Sequence, residues 1–259
     1  MVAEHAGLPS CPGGAWTTPV HFIGIGGVGM SGLATILLQR GVPVSGSDEA
    51  ESPVLERLAR LGATIATGHA VANVPAGTAR VVYSSAVQPD NPELREAVRR
   101  GLPVCRRGEF LARLAEQYAT VVAVGGSHGK TSTTAMIAHI LRTAGHRPGF
   151  LIGGEMPGWP APAAAGAGQI LVTEVDESDG TQALLRSSHA VVTNVDDDHC
   201  WSLGGVTALE QCFSEFADRA QHLFTWQDAT TTRLFAAHPA ATFLTSAELP
   251  AALTLPVPG

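Results

Sequence analysis

The chain has 259 residues, 45% of them hydrophobic and 15% charged, enough apolar material for one large or two medium cores and no sign of general disorder. A formal charge of −7 with no basic stripe argues against a nucleic-acid binder, and no apolar run approaches the roughly 20 residues that span a bilayer. Any anionic ligand must therefore be held locally, by backbone amides, single cations or metal ions.

Residues 1–19 are rich in Pro, Gly and Ser and lack both a basic start and a continuous apolar centre, so they read as a flexible extension rather than a signal peptide. Val20–Ile25 reads as a strand running into Gly24-Ile25-Gly26-Gly27-Val28-Gly29, and Met30–Arg40 as the helix that follows, closed by Gly41. Val42–Ser47 predicts a second strand ending at Asp48. Glycines at 24, 26 and 29 after a strand, with an acid about twenty residues on, make a dinucleotide fingerprint: amides and a helix N-terminus hold a pyrophosphate while the acid takes a ribose hydroxyl. A nicotinamide cofactor and any other nucleotide diphosphate satisfy this physics equally.

Further along, Pro53–Leu61 predicts a helix, and Ala63–Thr67 and Arg80–Ser84 short strands. Asn91–Arg100 predicts a helix with Pro92 in its first turn, Leu102–Cys105 a strand, and Arg107–Tyr118 an amphipathic helix joining two halves. A second unit starts at Thr120 with a strand, a glycine loop and a helix over Thr131–Ala144. Phe150–Gly153, Gln169–Val175, His189–Val195 and Gln221–Trp226 read as strands, Leu209–Arg219 as a helix, and Met156–Gly168 as a surface loop. Beyond Trp226 the pattern weakens. Alternating strands and helices predict an α/β chain with parallel sheets covered on both faces. The expected organisation is a Rossmann-like domain over 20–118 followed by an incomplete P-loop-type parallel-sheet ATP-binding domain over 119–259.

The second glycine loop is the sharper signal. Lys130 is the only lysine among 16 basic side chains, and it sits in Gly126-Ser127-His128-Gly129-Lys130-Thr131-Ser132 between an apolar strand and a helix. In such a loop glycines turn amides onto phosphate oxygens, the ammonium reaches the β/γ-phosphates and a hydroxyl coordinates Mg²⁺. Acids for that metal end the next strand: Glu174 is read as a metal-site residue, whereas Glu177 and Asp179 read as a solvated acidic turn. Asp196-Asp197-Asp198-His199 ends another strand, and His199 reads as a second metal-site residue. The four cysteines, Cys11, Cys105, Cys200 and Cys212, match no zinc template and read as reduced thiols in the cytoplasm.

Taken in order, these motifs resemble the Mur ligases. The matching runs are His21–Ala34 (His-Phe-Ile-Gly-Ile-Gly-Gly-Val-Gly-Met-Ser-Gly-Leu-Ala), Ser45-Gly46-Ser47-Asp48, Tyr83-Ser84-Ser85-Ala86-Val87, Asn91-Pro92-Glu93 and Arg107-Gly108-Glu109. Gly126–Thr131, Glu174–Ser178 and Thr193-Asn194-Val195 leading to Asp198-His199 complete the set, over roughly residues 20 to 225. The resemblance implies an ATP-dependent ligase of peptidoglycan precursor synthesis that joins L-alanine to UDP-N-acetylmuramate through an acyl phosphate. It implies that Gly24, Gly26, Gly27, Gly29, Asp48, Ser84 and Ser85 bind the UDP-sugar, displacing the nicotinamide reading. Lys130, Glu174 and His199 become catalytic, with Thr131, Glu174 and His199 on Mg²⁺ and the 126–132 loop on ATP. Ser127 and Phe110 stand where the family usually has Thr and Met, and Asp196 and Asp197 add charge beside His199. The family usually continues with a His-Asn motif and a third domain. That leaves a non-catalytic or split-enzyme fragment, with a separate chain supplying the third domain, and the related tripeptide-recycling ligase as alternatives.

Overall fold

Val20–Ile23 (β1) is buried at every position, including His21, and becomes the centre of a five-stranded parallel sheet. The computed structural model describes residues 17–177, 181–196 and 204–245. β1 is followed by α1 (Val28–Gln39), β2 (Val44–Asp48), α2 (Pro53–Arg60), β3 (Thr64–Thr67), β4 (Arg80–Tyr83), α3 (Pro92–Arg99), β5 (Val104–Arg106) and α4 (Arg107–Ala115). The order β3-β2-β1-β4-β5 reverses direction between β1 and β4, and ligands of such sheets bind where the order reverses, beyond the carboxyl ends of the strands. The helix starts follow the local chemistry. Ser52 and Asn91 accept hydrogen bonds from the first-turn amides of α2 and α3, with Pro53 and Pro92 just inside.

The second sheet is built from β6 (Thr120–Gly125), β7 (Gly149–Leu151), β8 (Ala163–Ala164), β9 (Ile170–Glu174), β10 (Ser187–Val192), β11 (Ala220–Trp226) and β12 (Ala241–Leu244), in the order β12-β11-β10-β6-β9-β7-β8. Helices α5 (Lys130–Thr143), α6 (Val206–Asp218) and α7 (Ala229–Phe235) connect them. Two findings depart from the expected pattern. β8 lies inside the stretch read as a surface loop and pairs antiparallel with β7, so the sheet is not wholly parallel. Beyond Trp226, α7 and β12 extend the sheet, α7 starting at an Asp228–Thr231 capping box.

One apolar core runs through both sheets, from Val20 and Phe22 through Phe110 to Phe213 and Phe216. The two halves meet along α1, where Gly32 removes the side chain that would separate them. A Cβ at that position would stand 2.4 Å from Leu151 Cδ1 and 3.3 Å from Ala163 Cβ. Gln39 accepts a hydrogen bond from the Ala165 amide at 2.8 Å, and Tyr118 donates to the Ala165 carbonyl at 3.0 Å, closing the same seam. Cys105 is buried and disulfide-bonded, against the expectation of reduced thiols throughout. Cys212 carries no disulfide, and burial pushes its thiol pKa up.

Beneath the first sheet lies a buried polar hub. Glu93, fully buried at the start of α3, accepts from Ser47 Oγ at 2.6 Å, Asn73 Nδ2 at 2.8 Å and the Ala70 amide at 3.1 Å. His21 Nε2 lies 2.9 Å from the same carboxylate, and its Nδ1 is 2.8 Å from Ser45 Oγ. Burial alone would raise the Glu93 pKa, but these hydrogen bonds and the His21 charge outweigh it and hold the group at about 2. Because the folded pKa lies below the ordinary 4.5, the hub's contribution is complete above that pH and is lost as pH falls towards 2. The shift corresponds to roughly 3 kcal/mol. Denaturant unfolding across pH should show the gap between the parent and Glu93→Gln widest above pH about 4.5 and closing towards pH 2.

Candidate functional site

The first glycine turn leaves β1 at Gly24, whose φ of 77° requires glycine. Its early amides are already spent: Gly24 and Ile25 donate to the Ser47 carbonyl at 2.9 and 3.0 Å, and Gly27 to the Gly24 carbonyl at 3.3 Å. Gly26 donates to Asp48 Oδ2 at 2.7 Å, while Asp48 Oδ1 accepts from the Glu49 amide at 2.9 Å. The amides open to an anion are those of Val28, Gly29 and Met30 in the first turn of α1, which have no intrahelical acceptor. Gly27, Val28, Gly29 and Met30 line a cavity of about 320 Å³ together with Ser84 and Ser85 beyond β4. Gly24, Gly26 and Asp48, also expected to hold the sugar nucleotide, do not line it. They brace the turn, and the carboxylate expected on a ribose hydroxyl accepts one backbone amide on each oxygen.

The other wall comes from the second sheet: Leu151, Ile152, Gly153, Glu174 and Asp176. Arg107, directly after β5, reaches across to Asp176 at 3.1 Å with its side chain only 14% exposed. Gly29 makes room for it, since a Cβ there would stand 2.9 Å from Arg107 Cδ. The Arg107-Gly108-Glu109 run carries a family resemblance but no role for Arg107. Its place at a strand end on the ligand-binding edge was the signal that could have given one.

The second turn leaves β6 at Gly125 and enters α5 at Lys130 through Gly129, at φ 78°. The end of β10 holds this loop. Thr193 donates to the His128 carbonyl, the Ser127 amide donates to the Asn194 carbonyl at 3.2 Å, and the Asn194 side chain both accepts from the His128 amide at 2.9 Å and donates to its carbonyl at 3.1 Å. Ser127 Oγ donates to the Asp196 carbonyl at 2.9 Å. Gly126 permits the close approach, because a Cβ there would stand 2.0 Å from Thr193 Oγ1. Helix geometry leaves the Lys130, Thr131 and Ser132 amides without intrahelical acceptors, which suits an anion.

Lys130 Nζ donates to the Gly126 carbonyl at 2.6 Å and lies 2.9 Å from both carboxylate oxygens of Glu177. Glu177 is 2% exposed, so the expectation of a solvated acidic turn fails at this residue. Its run of acidic neighbours concealed a buried counterion. Asp179 and His199 lie outside the described residues, as do Asp197, Asp198 and Cys200.

Glu174 ends β9 against Gly153, where a Cβ would stand 1.9 Å from its Oε1, and Thr131 adjoins Gly154. Glu174 Oε2 is buried without a hydrogen-bond partner. Among the described residues no group of three or more His, Cys, Asp or Glu converges as a metal cage. The unpartnered Glu174 oxygen has the donor chemistry that suits Mg²⁺, which takes one or two protein oxygens and completes its shell with water and phosphate. No described helix is long and apolar enough to cross a membrane. Asn194→Ala should remove the side-chain hydrogen bonds to the His128 amide and carbonyl, at a cost of about 0.5–1.5 kcal/mol each. Hydrogen exchange at residues 126–130 should accelerate while the first sheet keeps its protection.

A family model described as Mur ligase family, catalytic domain, matches residues 19–119, and one described as Mur ligase middle domain matches 124–249. The UDP-N-acetylmuramate–L-alanine ligase of Renibacterium salmoninarum is 52% identical over 197 residues, 76% of this chain and 42% of the relative. That of Phenylobacterium zucineum is 48% identical over 200 residues, again 42% of the relative, so the chain spans under half the length of these curated relatives. Among solved structures, the UDP-N-acetylmuramate-alanine ligase of Thermotoga maritima superposes with a TM-score of 0.78 at 30% identity, covering 84% of this chain and 51% of that one.

Proposed function

This chain belongs to the Mur ligase family, and from that premise we propose that it supplies the two nucleotide sites of an ATP-dependent ligase joining L-alanine to UDP-N-acetylmuramate. Residues 20–118 take the sugar nucleotide and 119–259 take ATP. The observation that carries this reading is the shared cavity, where the open amides of α1 face Glu174 of the second sheet across one cleft. The pyrophosphate of the sugar nucleotide sits on the first turn of α1, with Ser84, Ser85 and Arg107 around it. Gly24, Gly26 and Asp48 keep the turn in shape. The triphosphate of ATP sits on the first turn of α5, over Gly126–Ser132.

In the reaction, a carboxylate oxygen of the sugar nucleotide attacks the γ-phosphorus, forming an acyl phosphate and releasing ADP. The amine of alanine then attacks the acyl carbon, an amide bond forms, and phosphate leaves with the electron pair of the broken C–O bond. Lys130 neutralises charge on the moving phosphoryl group, so positioning and charge stabilisation supply most of the rate. Mg²⁺, held by the Thr131 hydroxyl and Glu174 with His199 as a further expected ligand, supplies neutralisation of the phosphates when bound. ATP and sugar nucleotides are cytoplasmic solutes, and a cytoplasmic setting belongs to the same reading. The Cys105 disulfide is the one feature that runs against a reducing compartment.

The 42% share of the relatives favours a second reading, in which another stretch of polypeptide, in this protein or in a partner chain, supplies the amino-acid pocket. The recycling ligase for a preformed tripeptide is less favoured, because the relatives at 48–52% identity carry the alanine-adding name. Calorimetry with Lys130→Ala separates the two nucleotide sites. Mg-ATP affinity should fall at least about tenfold, while UDP-N-acetylmuramate binds as before. Equal loss of both ligands would overturn the assignment.

A further inference from the structure

Lys130 carries three N–H donors and no acceptor, and four oxygens of the chain surround its ammonium, the most distant being the Ser127 carbonyl at 3.4 Å. The Gly126 carbonyl lies at 2.6 Å and the two Glu177 oxygens at 2.9 Å each. The carboxylate is not free to swing away into water. Glu177 is 2% exposed, and its segment is fastened to the central strand two residues earlier, where the Val175 amide donates to the Val124 carbonyl at 2.9 Å. The cation expected to meet phosphate is therefore already neutralised by a buried internal anion.

A phosphate can recruit this ammonium only by displacing Glu177, and displacement strands a buried, unpaired carboxylate close to the incoming negative charge. Glu174 and Asp176 lie on the same short segment and sharpen the repulsion. A nucleotide that arrives with a divalent cation brings a replacement positive charge for the carboxylate it displaces. A nucleotide without one does not.

We propose that Glu177 is a specificity-determining residue that makes the phosphate loop take metal-complexed nucleotide in preference to free nucleotide, by acting as the resident counterion of Lys130. This rests on the assignment of ATP to the loop. The carboxylate sets the metal requirement, and the loop amides set affinity for the phosphates themselves.

The test is calorimetric titration of the full chain with ATP, in excess Mg²⁺ and in EDTA, for the parent, Glu177→Gln and Glu177→Asp. The parent should bind at least about tenfold more tightly with Mg²⁺, the scale of one charged hydrogen-bonded pair. In Glu177→Gln the gap should shrink to about threefold or less, because metal-free binding tightens. Glu177→Asp should keep the parent's gap. Three results overturn the inference alone: a parent that binds ATP equally in both conditions, a Gln variant that keeps the parent's gap, or one that weakens equally in both. The last would make Glu177 a scaffold for the loop. A parent that binds no ATP in either condition defeats the loop assignment instead, and this inference falls with it. If Glu177→Gln unfolds, Glu177→Ala titrated in the same two conditions replaces it, and a gap kept at the parent's size there overturns the inference.

Discussion

The seating of α1 directly on β7 and β8 across Gly32 is the constraint on which the cleft depends. A parallel sheet delivers its loops to one edge, but two sheets in one chain share a cleft only if those edges face each other. With no side chain at position 32, the helix backbone rests against Leu151 and Ala163, and the first turn of the helix then overlooks Glu174. Arg107 to Asp176 spans the mouth of that cleft, and the Gln39 and Tyr118 hydrogen bonds to residue 165 close its rear. Apolar contact through the common core supplies the affinity between the halves, and these few polar links fix their register.

On the proposed reading, a chain with a net charge of −7 binds anions by concentrating positive potential at two helix starts. Neither cation of the cleft is left bare. Arg107 is held by Asp176 and Lys130 by Glu177, each acid lying just past the end of β9. Each of these cations is thereby paired with an acid, and a phosphate that sought either one would compete with a protein carboxylate for it.

Much of this was legible in the residues, for reasons that differ from motif to motif. Strand-to-helix turns at Gly24–Gly29 and Gly126–Thr131 are marked by glycines that the backbone requires, so both were found at their true places. The two-sheet α/β architecture followed from alternating apolar periods. What stayed hidden was the partnership between distant residues. Ser45-Gly46-Ser47-Asp48 matched a family motif and was read through its acid as part of a ligand site. Ser45 instead touches His21, Ser47 holds Glu93, and Asp48 holds the Gly26 amide. Glu93 drew attention only as a motif member, because a buried carboxylate looks the same in sequence as an exposed one. The burial of Glu177 is hidden in the sequence for the same reason. β8 is two residues long and α7 only seven, too short for a periodic signal, and their places are set by the neighbours they pair with.

A protein whose only lysine lies at the start of a phosphate loop has a single side-chain primary amine, and here that amine is packed against a carboxylate and a carbonyl. Reagents that acylate side-chain amines therefore have one target in this sequence, at the head of the phosphate loop. Mass spectrometry of such a product would report on one position without any engineered cysteine or tag, so occupancy of the loop can be followed in the unaltered polypeptide.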